Sequence, residues 1–224
     1  MKINLLSLCF IFFSTLFLCN GAEAIPIITE TIITGDTSII NSGTLVEANN
    51  LGSSAQSSSV NGVNFGTDSS SLSGWDLGTG DFSSDPFSRQ LDTLLSTASV
   101  ERSASSGSLT LDSLTVGTGY RLQLLFSNDL SEVGNNVYVN FMGEQYALND
   151  WQDSAVNLSI NFLATDTIAT ISFDPGLNAT VFTGLAVMNA YALHEASYPT
   201  PEPGSIFLLA LGITSLLGLR RKRR

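Results

Sequence analysis

The chain has 224 residues with 9 Lys+Arg against 20 Asp+Glu, a formal net charge of −11 that excludes a basic nucleic-acid-binding protein on bulk electrostatics. Six of the nine cations sit at the termini, Lys2 and Arg220, Arg221, Lys222, Arg223 and Arg224, so residues 25–199 hold only Arg89, Arg102 and Arg121 against 18 carboxylates, a local charge of −15 without a lysine. At 43% hydrophobic and 13% charged residues, where a soluble domain has roughly 25% charged, the composition also excludes a disordered chain.

Residues 1–24 open with Met1-Lys2, continue in an apolar run from Ile3 to Cys19 and end in Ala22-Glu23-Ala24. A cation, an apolar stretch and small residues at Ala22 and Ala24, the −3 and −1 positions of a peptidase site, predict a secretory signal peptide cleaved after Ala24. Both cysteines, Cys9 and Cys19, lie inside it, so the mature chain has no thiol for disulfides, thiol catalysis or Cys-ligated zinc. Leu18 stands where a lipoprotein box needs a small residue, which argues against acylation of Cys19.

Residues 25–43 read as an N-terminal arm that is either a strand or a loose segment. Leu45–Ala48 and Val60–Phe65 are short strand expectations, separated by serine-rich stretches at 53–59 and 67–74 that read as loops. Phe87, Leu91, Leu94 and Leu95 recur at helical spacing and predict one short helix over 87–98. From there the pattern turns to period two in residues 108–111, 120–126, 137–141, 156–162 and 168–173, with a closing run over 183–194. Turn signals such as Gly117-Thr118-Gly119 and Asp174-Pro175-Gly176 break these runs about every ten residues, which predicts antiparallel sheets packed as a sandwich over 44–196.

The C-terminal segment, 197–224, holds Pro201-Glu202-Pro203, then fourteen uncharged residues at 206–219, then five cations at 220–224. Fourteen helical residues rise about 21 Å, short of the ~30 Å hydrocarbon core, yet flanking arginines snorkel and the bilayer thins. The expectation is a single transmembrane helix whose basic end stays in the cytoplasm. The two prolines favour an extended, accessible segment just outside the bilayer.

This order of Pro-Glu-Pro, short apolar helix with Gly212 and Gly218, and basic end resembles the PEP-CTERM sorting signal of exopolysaccharide-producing Gram-negative bacteria. The resemblance implies processing by an exosortase at or near Pro201, Glu202 and Pro203, with signal peptidase acting at the other end. It also implies an inner-membrane intermediate followed by delivery to the cell surface or extracellular matrix. The body resembles the small jelly-roll domains often found ahead of this tail, and more loosely galactose-binding-like sandwiches, through Leu114–Tyr120 and Asn189–Leu193. The fold class expected is therefore all-β, an antiparallel jelly-roll-like β-sandwich with one short helix, flanked by the signal helix and the transmembrane helix.

No catalytic residue is expected. A lone His194 makes a Ser-His-Asp triad hang on one residue, and no nucleophile elbow, phosphate loop or dinucleotide fingerprint occurs. Asp150 and Asp153 flank Trp151, an arrangement that suits stacking on a sugar or, as a lesser alternative, a glycoside hydrolase pair; Trp75 is a second aromatic of this kind. A structural calcium ion is the one cofactor considered, with Asp129, Glu132, Asn135 and Asn136 in one loop, or Glu47 and Glu195 if the first and last strands pair. The function expected is a structural or adhesive surface protein in an exopolysaccharide layer, with a polysaccharide-binding module as the alternative.

Overall fold

The computed structural model describes residues 25–52, 54–74, 76–79, 87–100, 107–127, 137–148, 154–175 and 187–198. The signal segment 1–24 and the tail 199–224 lie outside these. Among the described residues no helix is long and apolar enough to cross a membrane.

Two five-stranded antiparallel sheets carry the architecture. One runs β1(Ile27–Ile32), β12(Val156–Leu163), β9(Gly119–Phe126), β15(Ala190–Glu195), β2(Thr44–Asn50) across its width. The other runs β11(Glu144–Leu148), β10(Val137–Phe141), β13(Ala169–Pro175), β8(Gly107–Leu111), β5(Leu72–Ser73). Strand pairs β2 with β15, β8 with β13, β9 with β12 and β10 with β11 are the four wound pairs of a jelly roll. The chain adds β1 to one outer edge and β5 to another. Two small sheets complete the set: β6(Asp76–Thr79) with β7(Thr97–Val100) and β14(Val187–Met188), and the hairpin β3(Ser58–Val60) with β4(Val63–Phe65).

Period-two alternation aims Leu109 and Leu111, Leu122 and Leu124, Val137, Val139 and Phe141, Leu158 and Ile160, and Ile171 and Phe173 into the space between the sheets. Phe162 packs edge-on against Phe141 with ring centroids 4.9 Å apart.

The first sheet is covered on its other face too. There Leu125, Ala190 and Ala192 meet Ile33 and Ile39 of the N-terminal arm, Val60, Val63 and Phe65 of the hairpin, and Leu91, Leu94 and Leu95 of the helix. That helix, α1(Arg89–Leu95), has seven residues and falls short of the expected span 87–98 at both ends. Ser88 caps its start by accepting from the Leu91 amide at 3.1 Å, and Thr97–Val100, β-branched at both ends, continues as β7.

Three other differences have local causes. The single strand expected over 60–65 is the β3–β4 hairpin, turned by Asn61 and Gly62 at φ of 48° and 81° as a two-residue loop requires. The arm contains a true strand, β1, paired with β12 from Ile27↔Asn161 to Ile32↔Val156. The closing run breaks at Asn189, whose side chain donates to Leu95 O and Thr97 O and accepts from the Ser127 amide, tying the start of β15 to α1 and β7.

Candidate functional site

Strand directions define the two ends of the sandwich. Glu195 lies opposite both Thr44 and Tyr120, and Ile27 lies opposite Asn161, so the start of the arm, the start of β2, the start of β9 and the end of β15 share one end. The loops 112–118 and 164–168 close the same end and are bonded to each other through Leu114 N to Thr167 O and Gly117 N to Ala164 O. The chain leaves the described fold at Tyr198 from this end.

A cleft of about 500 Å³ opens there, its lining including Ser42, Gly43, Thr118, Gly119, Arg121 and Glu195. Both glycines are forced. A Cβ on Gly43, where φ is +102°, would lie 2.1 Å from Glu195 O, and one on Gly119 would lie 2.6 Å from Ala196 O. Arg121 is fixed in the wall: its Nε donates to Asn161 Oδ1 at 3.1 Å and an Nη to Ser42 Oγ at 2.7 Å. One face of the cleft is thus a positioned cation in a body that is otherwise acidic.

Behind the wall lies His194, the register partner of Arg121 on β15. It is buried, its Nδ1 has no hydrogen-bond partner, and burial first, then the Arg121 charge, lowers its pKa from the usual value near 6.5. The imidazole therefore resists protonation.

The strands bearing Glu47 and Glu195 do pair, as the calcium expectation requires, but the two carboxylates have different surroundings. Glu47 is opposite Leu193, and its carboxylate accepts from the Tyr191 hydroxyl and, at 2.9 Å, from Asn49 Nδ2. Burial first and then Glu47 push the Tyr191 hydroxyl well above its usual range, so it stays protonated and donates. Glu195 lies beyond the bulge at Val46 and lines the cleft. Among the described residues no three His, Cys, Asp or Glu side chains gather as a metal site. Asp129, Glu132, Asn135, Asn136, Asp150, Trp151, Asp153 and Trp75 lie outside the described residues, as do Ala22, Ala24, Pro201, Glu202 and Pro203.

Residues 199–224, which begin directly after Tyr198, match the PEP-CTERM protein-sorting motif. The chain carries a PEP-CTERM sorting signal. A PEP-CTERM signal implies export, anchoring and then surface delivery, with an exosortase as processing enzyme. No curated protein matches the chain in sequence.

Solved structures show the fold again. The ANX1 ectodomain from Arabidopsis thaliana superposes with a TM-score of 0.54 at 14% identity, covering 68% of this chain and 42% of that one. The ANXUR2 extracellular domain from the same plant gives 0.54 at 13% identity over 67% and 41%, and the plant receptor-like kinase FER 0.53 at 10% identity over 69% and 50%. The chain therefore spans half or less of these ectodomains. At such identities the likeness is one of fold alone.

Sequence reasoning missed Arg121 and Tyr198 as parts of one end. The signal for Arg121 was present, since it is one of three cations in residues 25–199. Its partner Ser42 belongs to the arm, which the pattern left undecided between strand and loose segment.

Proposed function

We propose that this protein is a structural or adhesive component of an extracellular polysaccharide layer, delivered there as a jelly-roll body by its PEP-CTERM tail. The observation that carries the reading is adjacency: the sorting motif starts at residue 199, one residue past the last described position of the sandwich. No separate domain lies between body and tail, so the sandwich is the cargo. The signal peptide ending at Ala24 exports it, signal peptidase and an exosortase process its two ends, and the 206–219 helix holds it in the inner membrane in between. The body acts by contact and no catalytic step is assigned to it.

Connections 128–136 and 149–153, which carry Asp129, Glu132, Asn135, Asp150, Trp151 and Asp153, leave from strand ends opposite the tail. A structural calcium ion in this region remains part of the proposal and is tested by thermal denaturation with and without EDTA.

The test of the sorting reading is cell fractionation of a chain lacking residues 201–203 beside the intact chain. The shortened chain is expected to stay unprocessed in the inner membrane. Unchanged processing and surface release would overturn the reading. Binding of the purified body to the host's own exopolysaccharide, lost on Trp151→Ala, would move the assignment from structural component to polysaccharide-binding module.

A further inference from the structure

Large apolar side chains that the fold leaves exposed are concentrated at one end. Among the described residues these are Ile25, Ile27, Ile32, Leu45, Val46, Val116 and Ile168. Ile25 precedes β1 and Ile27 begins it at the end where the tail emerges, Val116 and Ile168 belong to the two loops that close it, and Leu45 and Val46 follow Thr44 on β2. Only Ile32, opposite Val156, lies at the other end. Val116 is 58% exposed and Ile168 56%, on loops pinned to each other by backbone hydrogen bonds, so their exposure belongs to the folded state. Single exposed apolar residues need no explanation, but six at one end of one domain do.

The length of the tail says what faces this end. From Tyr198 to Ile206, where the apolar segment begins, are eight residues, which fully extended span at most about 29 Å. An eight-residue strand such as β9 is itself about 27 Å long. While the tail is in the membrane, the sandwich cannot stand further from the bilayer than roughly its own length, and the end that bears the tail is the near one. Tyr198 donates to Ile25 O at 2.7 Å, so the mature N-terminus is held at the same place.

We propose that this end is a membrane-facing surface: before exosortase processing, Val116, Ile168 and Ile25 rest in the lipid headgroup region and hold the body upright on the bilayer. The contact is apolar. Among the described residues the charged groups at this end are Asp112, Glu144, Asp166 and Glu195 with Arg121 and, in the mature chain, the Ile25 α-ammonium, a net negative set that anionic headgroups repel, so the attraction comes from the apolar side chains. Removing the tail then removes the anchor and leaves a weak apolar contact that releases, while the far end stays free for matrix throughout. This inference rests on the reading that 206–219 crosses the membrane.

The absence of cysteine from the mature chain makes the test clean. The mature chain beginning at Ile25, with residues 199–224 intact, is placed in phosphatidylethanolamine–phosphatidylglycerol vesicles. Single cysteines Val116→Cys, Ile168→Cys and Ile32→Cys, all at exposed positions, carry an environment-sensitive fluorophore. Blue-shifted emission that is quenched by nitroxide-bearing lipids at 116 and 168, and neither effect at 32, is the expected result. Equal quenching at all three, or none at 116 and 168 in protein that floats with the vesicles, overturns the membrane-facing surface alone. A blue shift without lipid quenching at 116 and 168 overturns it in favour of a protein partner. A chain that does not float with the vesicles overturns the membrane-spanning reading and the surface with it.

Discussion

The Tyr198 hydroxyl donates to the Ile25 carbonyl at 2.7 Å, joining the last described residue before the sorting motif to the first residue after the expected signal cleavage. One hydrogen bond thus joins the first and the last residue of the described fold. Because the bond is exposed, its net worth is about 0.5–1 kcal/mol. Tyr198→Phe is expected to leave the midpoint of global unfolding almost unchanged. It should raise hydrogen exchange in Ile27–Ile32, which frays from Ile25, by about two- to fivefold.

Gln123 and Ile40 form a tighter tie. The side chain accepts from Ile40 N and donates to Ile40 O, both at 2.7 Å, and its oxygen also accepts from Asn157 Nδ2. Asn157 in turn donates to Ser38 O at 2.8 Å. These two polar side chains on the outer face of the first sheet hold the arm in place of further strands. Gln123→Leu leaves the Ile40 amide and carbonyl without partners under the arm, at a cost of about 2–4 kcal/mol. Urea denaturation reads this as a lower midpoint, and limited proteolysis should open the chain first between residues 33 and 43.

The same pair marks the boundary of what the amino-acid pattern discloses. Strands with one face in the core, such as Val137–Phe141 with its strict in-out burial, announce themselves by alternation. In β9 the alternation puts Gln123 and Arg121 outward, and nothing local says that the arm, some eighty residues earlier, will cover them. The arm reads as ambiguous for the same reason, since its fixed points are the side chains of Gln123, Asn157 and Arg121. Asn61-Gly62 between Val60 and Val63 is a local signal of a hairpin turn and was legible; the strand expectation over 60–65 passed over it. Of the candidate site, the sorting motif was legible because its order of proline, apolar helix and cations is contiguous. The cleft was not, because Ser42, Thr118 with Arg121, and Glu195 come from three segments far apart in the chain.

His194 gives the fold a pH dependence whose sign follows from its environment. Burial and Arg121 hold its pKa below the unfolded value near 6.5, so in the folded state it resists protonation. The unfolded chain then binds more protons, and stability rises with pH in this window. Its contribution is fully present above about pH 6.5 and is lost as pH falls from there through the folded pKa. Urea midpoints measured from about pH 7.5 down to pH 5 should decline for the native chain, and His194→Gln should flatten that decline. An identical slope in the variant would place the effect on carboxylates instead.

Gly43 and Gly117 separate two costs of losing a glycine. Both have positive φ, +102° and +83°, where a side chain strains the backbone. Around Gly117 there is open space within 4 Å, so Gly117→Ala is expected to cost only that strain, about 1 kcal/mol. At Gly43 the added Cβ would meet Glu195 O at 2.1 Å and lie 3.5 Å from the Cβ of His194. Neither neighbour is the loose end of a long side chain, so β15 or the arm must move. Gly43→Ala should therefore cost about 2–4 kcal/mol, with thermal denaturation showing a clear drop beside a small one for Gly117→Ala. Because the displaced strand leads directly into Tyr198 and the sorting motif, the same substitution should also loosen the Tyr198–Ile25 bond, seen as faster hydrogen exchange in β1. A drop in stability without that change would mean that only the part of the arm after β1, residues 33–43, gives way and β15 keeps its place.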